Sequence, residues 1–239
     1  YLDAWGAELN GLGVSESAAK WKLLADLYPD YHGAHANRAF ALFSMGYYAE
    51  SEAAASRAAV SQNPLFSIAL QQKARAQLAR GQVSASLRSF QTAADADGGV
   101  QREHAAALSA DDQFDAAWTL LDRLPADSMA AWMTKVSVAV DQGDMPKAME
   151  LVSTASALCC AHDHICNVFR VQRLSLETLS AAAPPAIAFE PPLTDMMARV
   201  RTADGSDRAE WAFMAAATLH LAQRAGHTGI APRWMPALI

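Results

Sequence analysis

The chain has 239 residues, of which 52% are hydrophobic and 18% charged, and its formal net charge is −6. This composition supports a sizeable buried core and excludes a disordered chain, while the acidic balance without a long basic run argues against duplex nucleic acid as a ligand. No apolar stretch reaches the ~18 residues that a transmembrane helix needs.

The residue types favour helix along the whole chain. Alanine dominates and β-branched residues are scattered rather than clustered, and alanine is the residue that a helix accommodates at the lowest free-energy cost. The sequence starts at Tyr1 rather than at a methionine, and it shows no signal peptide. We therefore expect a piece of a longer protein, with a cytoplasmic and a periplasmic location both open.

Short polar turns recur along the first two thirds of the chain. Each turn starts with a glycine or an aspartate and carries a small residue five positions later. The turns start at Gly13, Gly46, Gly81, Asp112 and Gly143. Successive starts are 31 to 35 residues apart, an interval that indicates a repeated pair of helices.

Three registers of small residues accompany these turns. The positions seven before the turn hold Gly6, Ala39, Ala74, Ala105 and Val136. The positions five after it hold Ala18, Ser51, Ser86, Ala117 and Ala148, and those twelve after it hold Ala25, Ala58, Ala93, Leu124 and Ala155. All but Val136 and Leu124 are Gly, Ala or Ser, and small side chains let two helices approach closely.

This pattern resembles the tetratricopeptide repeat family, in which small residues at these three positions lie where two helices cross closely. The resemblance therefore implies helix crossings at these positions. Aromatic residues at that family's positions are Phe43, Phe90 and Trp132, and prolines that follow a second helix are Pro29, Pro64 and Pro125. The resemblance implies an all-α fold, a right-handed α-solenoid of helix pairs over residues 1–160. Each pair buries its apolar face against its neighbours, because one pair alone has nothing to cover it.

The repeat pattern fades in residues 161–239. A helix is predicted from His162 to about Ser180, followed by a proline-rich segment, Ala181–Pro192, which we expect to be an extended connector. Two further helices are predicted at Leu193–Ala203 and Asp207–Ala225, with Gly226 ending the second. We expect these helices to pack on the array as a divergent C-terminal cap.

A cluster of cysteines and histidines lies where the pattern fades, at Cys159, Cys160, His162, His164 and Cys166. Thiolates and imidazoles are common zinc ligands, but this spacing matches no standard zinc site. Plain packing of buried cysteines is the main interpretation, and a disulfide involving Cys166 or a metal or redox site are the alternatives. We predict no metal and no cofactor.

The resemblance implies that the first helix of each pair lines a concave groove. The inward positions carried over from the family are Asn37, Phe40, Gln71, Arg75, Arg102, Met133 and Ser137. Two arginines on neighbouring helices would form a local basic spot, which favours an acidic or C-terminal peptide segment as ligand. The alternative is that Arg75 and Arg102 only pair with nearby carboxylates such as Glu103 or Asp97.

These observations predict a protein- or peptide-binding scaffold that is the sensor or assembly region of a larger bacterial regulatory protein. A stand-alone adaptor or secretion chaperone is the alternative, and an enzyme with a helical pocket is a third. The chain shows no nucleophile paired with a base and no phosphate-binding glycine loop. We therefore predict no catalytic residues.

Overall fold

The structure is a computed structural model, and it describes residues 14–96, 100–158, 164–180, 184–203 and 205–234. Contacts divide the chain into two compact units, Tyr1–Leu124 and Pro125–Ile239. The first unit contains α1 (Val14–Leu27), α2 (His32–Ser44), α3 (Tyr48–Ala58), α4 (Phe66–Ala79), α5 (Val83–Ala96), α6 (Gln101–Ser109) and α7 (Phe114–Leu121). The second contains α8 (Met129–Asp141), α9 (Met145–Leu158), α10 (His164–Leu179), α11 (Glu190–Thr202), α12 (Gly205–Arg224) and α13 (Ile230–Trp234). The described ranges contain no strand, as the predicted all-α class requires.

Four short turns join the helices into the pairs α2–α3, α4–α5, α6–α7 and α8–α9. At each turn one residue has a left-handed backbone, with φ of 80° at Gly46, 72° at Gly81, 57° at Asp112 and 78° at Gly143. The amide of that residue bonds the carbonyl three residues earlier, and the next amide bonds the carbonyl five residues earlier. This is the Schellman arrangement, which satisfies the last carbonyls of a helix. The predicted turn register is thereby confirmed at these four pairs, while the fifth predicted turn, at Gly13, lies outside the described residues.

The predicted helix crossings are buried in the described residues except at Leu124, and Gly6 lies outside the described residues. Ala74 and Ser86 have no exposed surface, and the Ser86 hydroxyl donates to the Ala74 carbonyl over 2.8 Å. Ser51 makes the equivalent bond to the Ala39 carbonyl over 2.7 Å one pair earlier. A side chain that reaches a backbone carbonyl of the neighbouring helix requires that the two backbones lie close together. Larger residues are therefore excluded from both sides of the crossing.

In the short pair α6–α7, the register of small residues twelve positions after the turn differs from the prediction. Leu124 was predicted to be a crossing residue, but α7 ends at Leu121, and Leu121 is the fully buried side chain there. Leu124 is only half-buried, in the connection that leads to Pro125. The shift arises because this helix is only 8 residues long. Its last buried position therefore falls one turn earlier than in the longer pairs.

The C-terminal helices build a core of their own within the second unit. Its largest fully buried side chains include Phe189, Leu193, Met196 and Met197. α10 packs against α9, and α11 packs against α12. The turn between α12 and α13 has the same backbone geometry as the turns of the repeat pairs. Gly226 has a φ of 88°, and the amide of His227 bonds the Ala222 carbonyl over 2.9 Å. Gly226 was predicted to end α12, but its similarity to the turns of the repeat pairs was not predicted.

The proline-rich segment differs from the extended connector that was predicted. Pro191 and Pro192 lie in the first turn of α11, which begins at Glu190, and a short 3₁₀ turn spans Ala186–Ala188. Proline is tolerated at the start of a helix because the first amides there have no intrahelical partner. Only the residues before Ala186 can form the predicted extended connector, and residues 181–183 lie outside the described part of the chain.

Candidate functional site

Five of the seven predicted ligand residues lie in the first unit. Asn37 and Phe40 are on α2, Gln71 and Arg75 on α4, and Arg102 on α6. We call this set the unit-1 face. The side chain of Phe40 is 53% exposed, while the other four are partly buried. These helices are the first members of three successive pairs, and α2 is in contact with α4.

The arginine on α4 stacks on an aromatic ring of α2. The guanidinium carbon of Arg75 lies 4.9 Å from the centroid of the Phe43 ring, within the range of a cation–π interaction. The Phe43 ring also meets Tyr48 at a centroid distance of 5.2 Å. None of the described carboxylates forms an ion pair with Arg75. This arginine therefore lies over an aromatic ring, and its guanidinium forms no ion pair within the described part of the chain.

The two predicted arginines differ in their partners. Arg102 forms an ion pair with Glu103, the next residue along α6. This is one of the two pairings considered as the alternative to ligand binding, and it lowers the net positive charge around Arg102. The other carboxylate considered, Asp97, lies outside the described residues. The basic character of the unit-1 face therefore depends on Arg75.

The remaining two predicted residues lie in the second unit, on α8. Met133 is partly buried and Ser137 is exposed, and the Ser137 hydroxyl donates to the Met133 carbonyl over 3.2 Å. Ser137 lines a groove of about 260 Å³ between α8 and α10. Asp141 on α8 also lines this groove. The polar groups that α10 contributes, Gln172 and Ser175, were missed from the sequence. They lie in the region where the repeat pattern fades, so no register pointed to them.

The cysteine–histidine cluster is only partly within the described structure. Cys159, Cys160 and His162 lie outside the described residues, as does the side chain of His164. Cys166 is 4% exposed, in agreement with a packing role for that residue. Among the residues that the structure describes, no group of three or more His, Cys, Asp or Glu side chains is placed to hold a metal ion.

Two histidines of the first unit are buried. His35 places Nε2 3.0 Å from the Pro29 carbonyl oxygen, and burial lowers its pKa below the usual value, partly offset by that carbonyl. His104 stacks on Phe90 at a centroid distance of 6.0 Å, and burial lowers its pKa as well, partly offset by Asp95. Both imidazoles therefore favour the neutral form and fill space between helices.

Comparison with known proteins supports the fold. No family model and no curated protein sequence matches the chain. The C-terminal part of a TPR repeat-containing protein from Cytophaga hutchinsonii aligns over 99% of this chain and 98% of its own, with a TM-score of 0.54 and 11% identity. A tetratricopeptide repeat protein from Parabacteroides merdae aligns over 99% of this chain and 96% of its own, with a TM-score of 0.59 and 8% identity.

None of the described helices is long and apolar enough to cross a lipid bilayer. The turn register, the buried small residues at the crossings and the similarity to two solved repeat proteins agree with one another. The chain therefore has the fold of the tetratricopeptide repeat proteins, an all-α solenoid of paired helices.

Proposed function

We propose that this chain is a scaffold that binds protein or peptide partners, and that its first unit does so through the unit-1 face. The observation that carries this proposal is Phe40, an aromatic side chain more than half exposed on the same helix face as Phe43, which lies beneath Arg75. Residues three apart share one face of a helix. An exposed aromatic residue one helical turn from a ring that carries a cation, where that cation has no ion-pair partner among the described residues, is typical of a binding surface.

The side chains of this face favour an extended acidic segment or a C-terminal carboxylate. The Arg75 guanidinium offers a planar pair of donors to two carboxylate oxygens. Asn37 and Gln71 carry amides that both donate and accept, which suits the backbone of a bound peptide. Phe40 provides apolar contact for a neighbouring side chain. Arg102 contributes less to binding a carboxylate, because its guanidinium already forms an ion pair with Glu103.

The finer part of the proposal concerns the protein to which this array belongs. We propose that it is the sensor or assembly region of a larger bacterial regulatory protein. Support comes from the neighbour in Cytophaga hutchinsonii, which is the C-terminal part of its protein and matches this chain over nearly its whole length. Arrays of this size thus occur within longer bacterial chains.

The test starts from a display library of random peptides, which is panned against the whole chain. The affinity of a selected peptide is then measured by fluorescence anisotropy. We expect Phe40→Ala and Arg75→Ala each to weaken binding about tenfold, which corresponds to roughly 1.4 kcal/mol. The matched controls are Tyr47→Ala, whose ring is 54% exposed at the turn, and Arg88→Ala on α5. Unchanged affinity in the Phe40 and Arg75 double variant, with its helix content intact, would remove the unit-1 face as the binding surface.

A further inference from the structure

A polar groove lies between α4 and α5 in the first unit, and we call it the α4–α5 groove. Its volume is about 290 Å³. Two basic residues line it, Lys73 on α4 and Arg88 on α5, together with the polar residues Gln77, Ser89 and Thr92. No acidic residue is among the described residues of its lining. The groove is therefore locally positive, although the chain as a whole has a net charge of −6.

The two cations of the α4–α5 groove form no ion pair within the described part of the chain. Four other described basic residues of the first unit do pair with carboxylates, namely Lys20, Lys22, Arg80 and Arg102. One carboxylate contacts the lining, since the Gln77 amide donates to Glu52 over 3.0 Å, but Glu52 is itself paired with Arg80. The charges of Lys73 and Arg88 are therefore left without a carboxylate partner among these residues.

The preceding helix pair has a groove at the same register, between α2 and α3. Arg38 and Lys73 each directly precede the first crossing residue of their pair. The groove between α2 and α3 is lined by Arg38 and Arg57, but also by the carboxylate of Glu50. In that pair the chain supplies an anion to the groove itself. The α4–α5 groove has the same pair of positive charges and lacks the anion.

The hydroxyl groups of the α4–α5 groove already donate within the chain. Ser89 donates to Gln77 Oε1 over 2.8 Å, and Thr92 donates to the Arg88 carbonyl over 2.9 Å. Each hydroxyl has one hydrogen, so its oxygen can now only accept. The charged donors of the groove are the Lys73 ammonium and the Arg88 guanidinium. Lys73 is half-buried and Arg88 is exposed, so a ligand in solution can reach both.

We propose that the α4–α5 groove binds a phosphorylated serine or threonine of a partner polypeptide. A phosphate monoester carries about 1.5 to 2 negative charges at pH 7, which matches two cations better than a single carboxylate does. The planar guanidinium of Arg88 can donate to two phosphate oxygens, and the Lys73 ammonium can meet the third as a point charge. A polypeptide is favoured over a free anion because Arg88 and Thr92 are exposed and leave the groove open, so residues that flank the phosphate have to supply further contacts.

This inference rests on the proposed function in so far as the partner is a polypeptide, but it concerns another surface of the first unit. Lys73 and Arg75 are two residues apart on α4, which places them about 200° apart around the helix axis. The unit-1 face is proposed to bind an unmodified acidic or C-terminal segment, whereas the α4–α5 groove requires a phosphate group. The two surfaces therefore make separate predictions.

The experiment uses an array of peptides that carry phosphoserine or phosphothreonine between randomised flanking residues, and the array is probed with the whole chain. The affinity of the strongest binders is then measured by fluorescence anisotropy in the phosphorylated and unphosphorylated forms. We expect the unphosphorylated form to bind at least about tenfold more weakly. Because this comparison leaves the protein unchanged, the result does not depend on how any variant folds. An array without a binding peptide would overturn the proposal.

Protein variants then locate the site. The double variant Lys73→Met and Arg88→Met keeps apolar stems, and we expect it to bind the phosphopeptide at least about tenfold more weakly. The matched control, Arg57→Met with Arg123→Met, removes two charges elsewhere in the first unit and should bind normally. Phe40→Ala should also bind normally, so failure of the unit-1 face and failure of the α4–α5 groove are distinguishable.

Four results would each overturn the proposal. They are equal binding of the two peptide forms, full affinity in the Lys73 and Arg88 double variant, an equal loss of affinity in the control variant, and full competition by inorganic phosphate at the concentration of the peptide. The last result would show a site for free anions instead of a phosphorylated partner.

Discussion

Replacement of Ala74 by leucine tests the close crossing of α4 and α5. Ala74 has no exposed surface, packs with Phe90 and Ala107, and its carbonyl accepts the Ser86 hydroxyl over 2.8 Å. Leucine adds three carbon atoms to a site with no space for them, and overpacking of this kind costs about 1–3 kcal/mol. If α5 moves away to make room, the Ser86 hydrogen bond is lost as well, at about 1 kcal/mol. We therefore expect the free energy of unfolding to fall by roughly 2–4 kcal/mol.

The measurement is urea denaturation followed by circular dichroism at 222 nm, a wavelength that reports helix content generally. The control is Ala53→Leu on α3, where the alanine is exposed and the added atoms meet solvent. Ala148→Leu provides the same test in the second unit, because Ala148 is also fully buried at a crossing. Equal denaturation midpoints for Ala74→Leu, Ala148→Leu and Ala53→Leu would show that the crossings are not tightly packed and would refute the register.

Three further predictions concern the turns, the crossing hydrogen bonds and the buried imidazoles. Ser86→Ala should lower the free energy of unfolding by about 1 kcal/mol through loss of its bond to α4, while Ser84→Ala, at an exposed position of the same helix, should change it little. Gly81→Ala should lower the free energy of unfolding, measured by urea denaturation, by about 1–2 kcal/mol. A Cβ there meets no atom within 4 Å, so the cost comes only from the left-handed backbone. Asp112→Gly, at φ 57°, should raise the free energy of unfolding, and a decrease would contradict this account of the turn. Burial lowers the pKa of His104 in the folded state, so as the pH falls the unfolded chain takes up the proton first. The urea midpoint should therefore fall as the pH drops below about 6.5, and it should fall less in His104→Gln. Equal decreases in the two proteins would exclude this histidine as the source.

The helix pairs and their turns were predictable because the signals are local. A left-handed residue after a helix favours glycine, and a close crossing accepts only small side chains. The glycines at the turns of the longer pairs, and small residues such as Ala74, therefore mark the fold directly in the sequence. Asp112 followed the same register without glycine, and the structure places it at the same backbone geometry. The local signal is weaker where proline is concerned, since Pro191 suits a helix start as well as an extended connector.

The chemistry of the candidate surfaces depends on contacts that sequence spacing does not encode. The sequence indicated two arginines on successive first helices, but only the packed side chains decide that Arg75 lies over Phe43 while Arg102 pairs with Glu103. Likewise, Gln172 and Ser175 line a groove with Val136 and Ser137 because α10 is placed beside α8, in a region without a recognisable repeat. Turn and crossing residues follow from backbone geometry within one helix pair. Which donors and acceptors remain available to a partner follows only from the way separate helices meet.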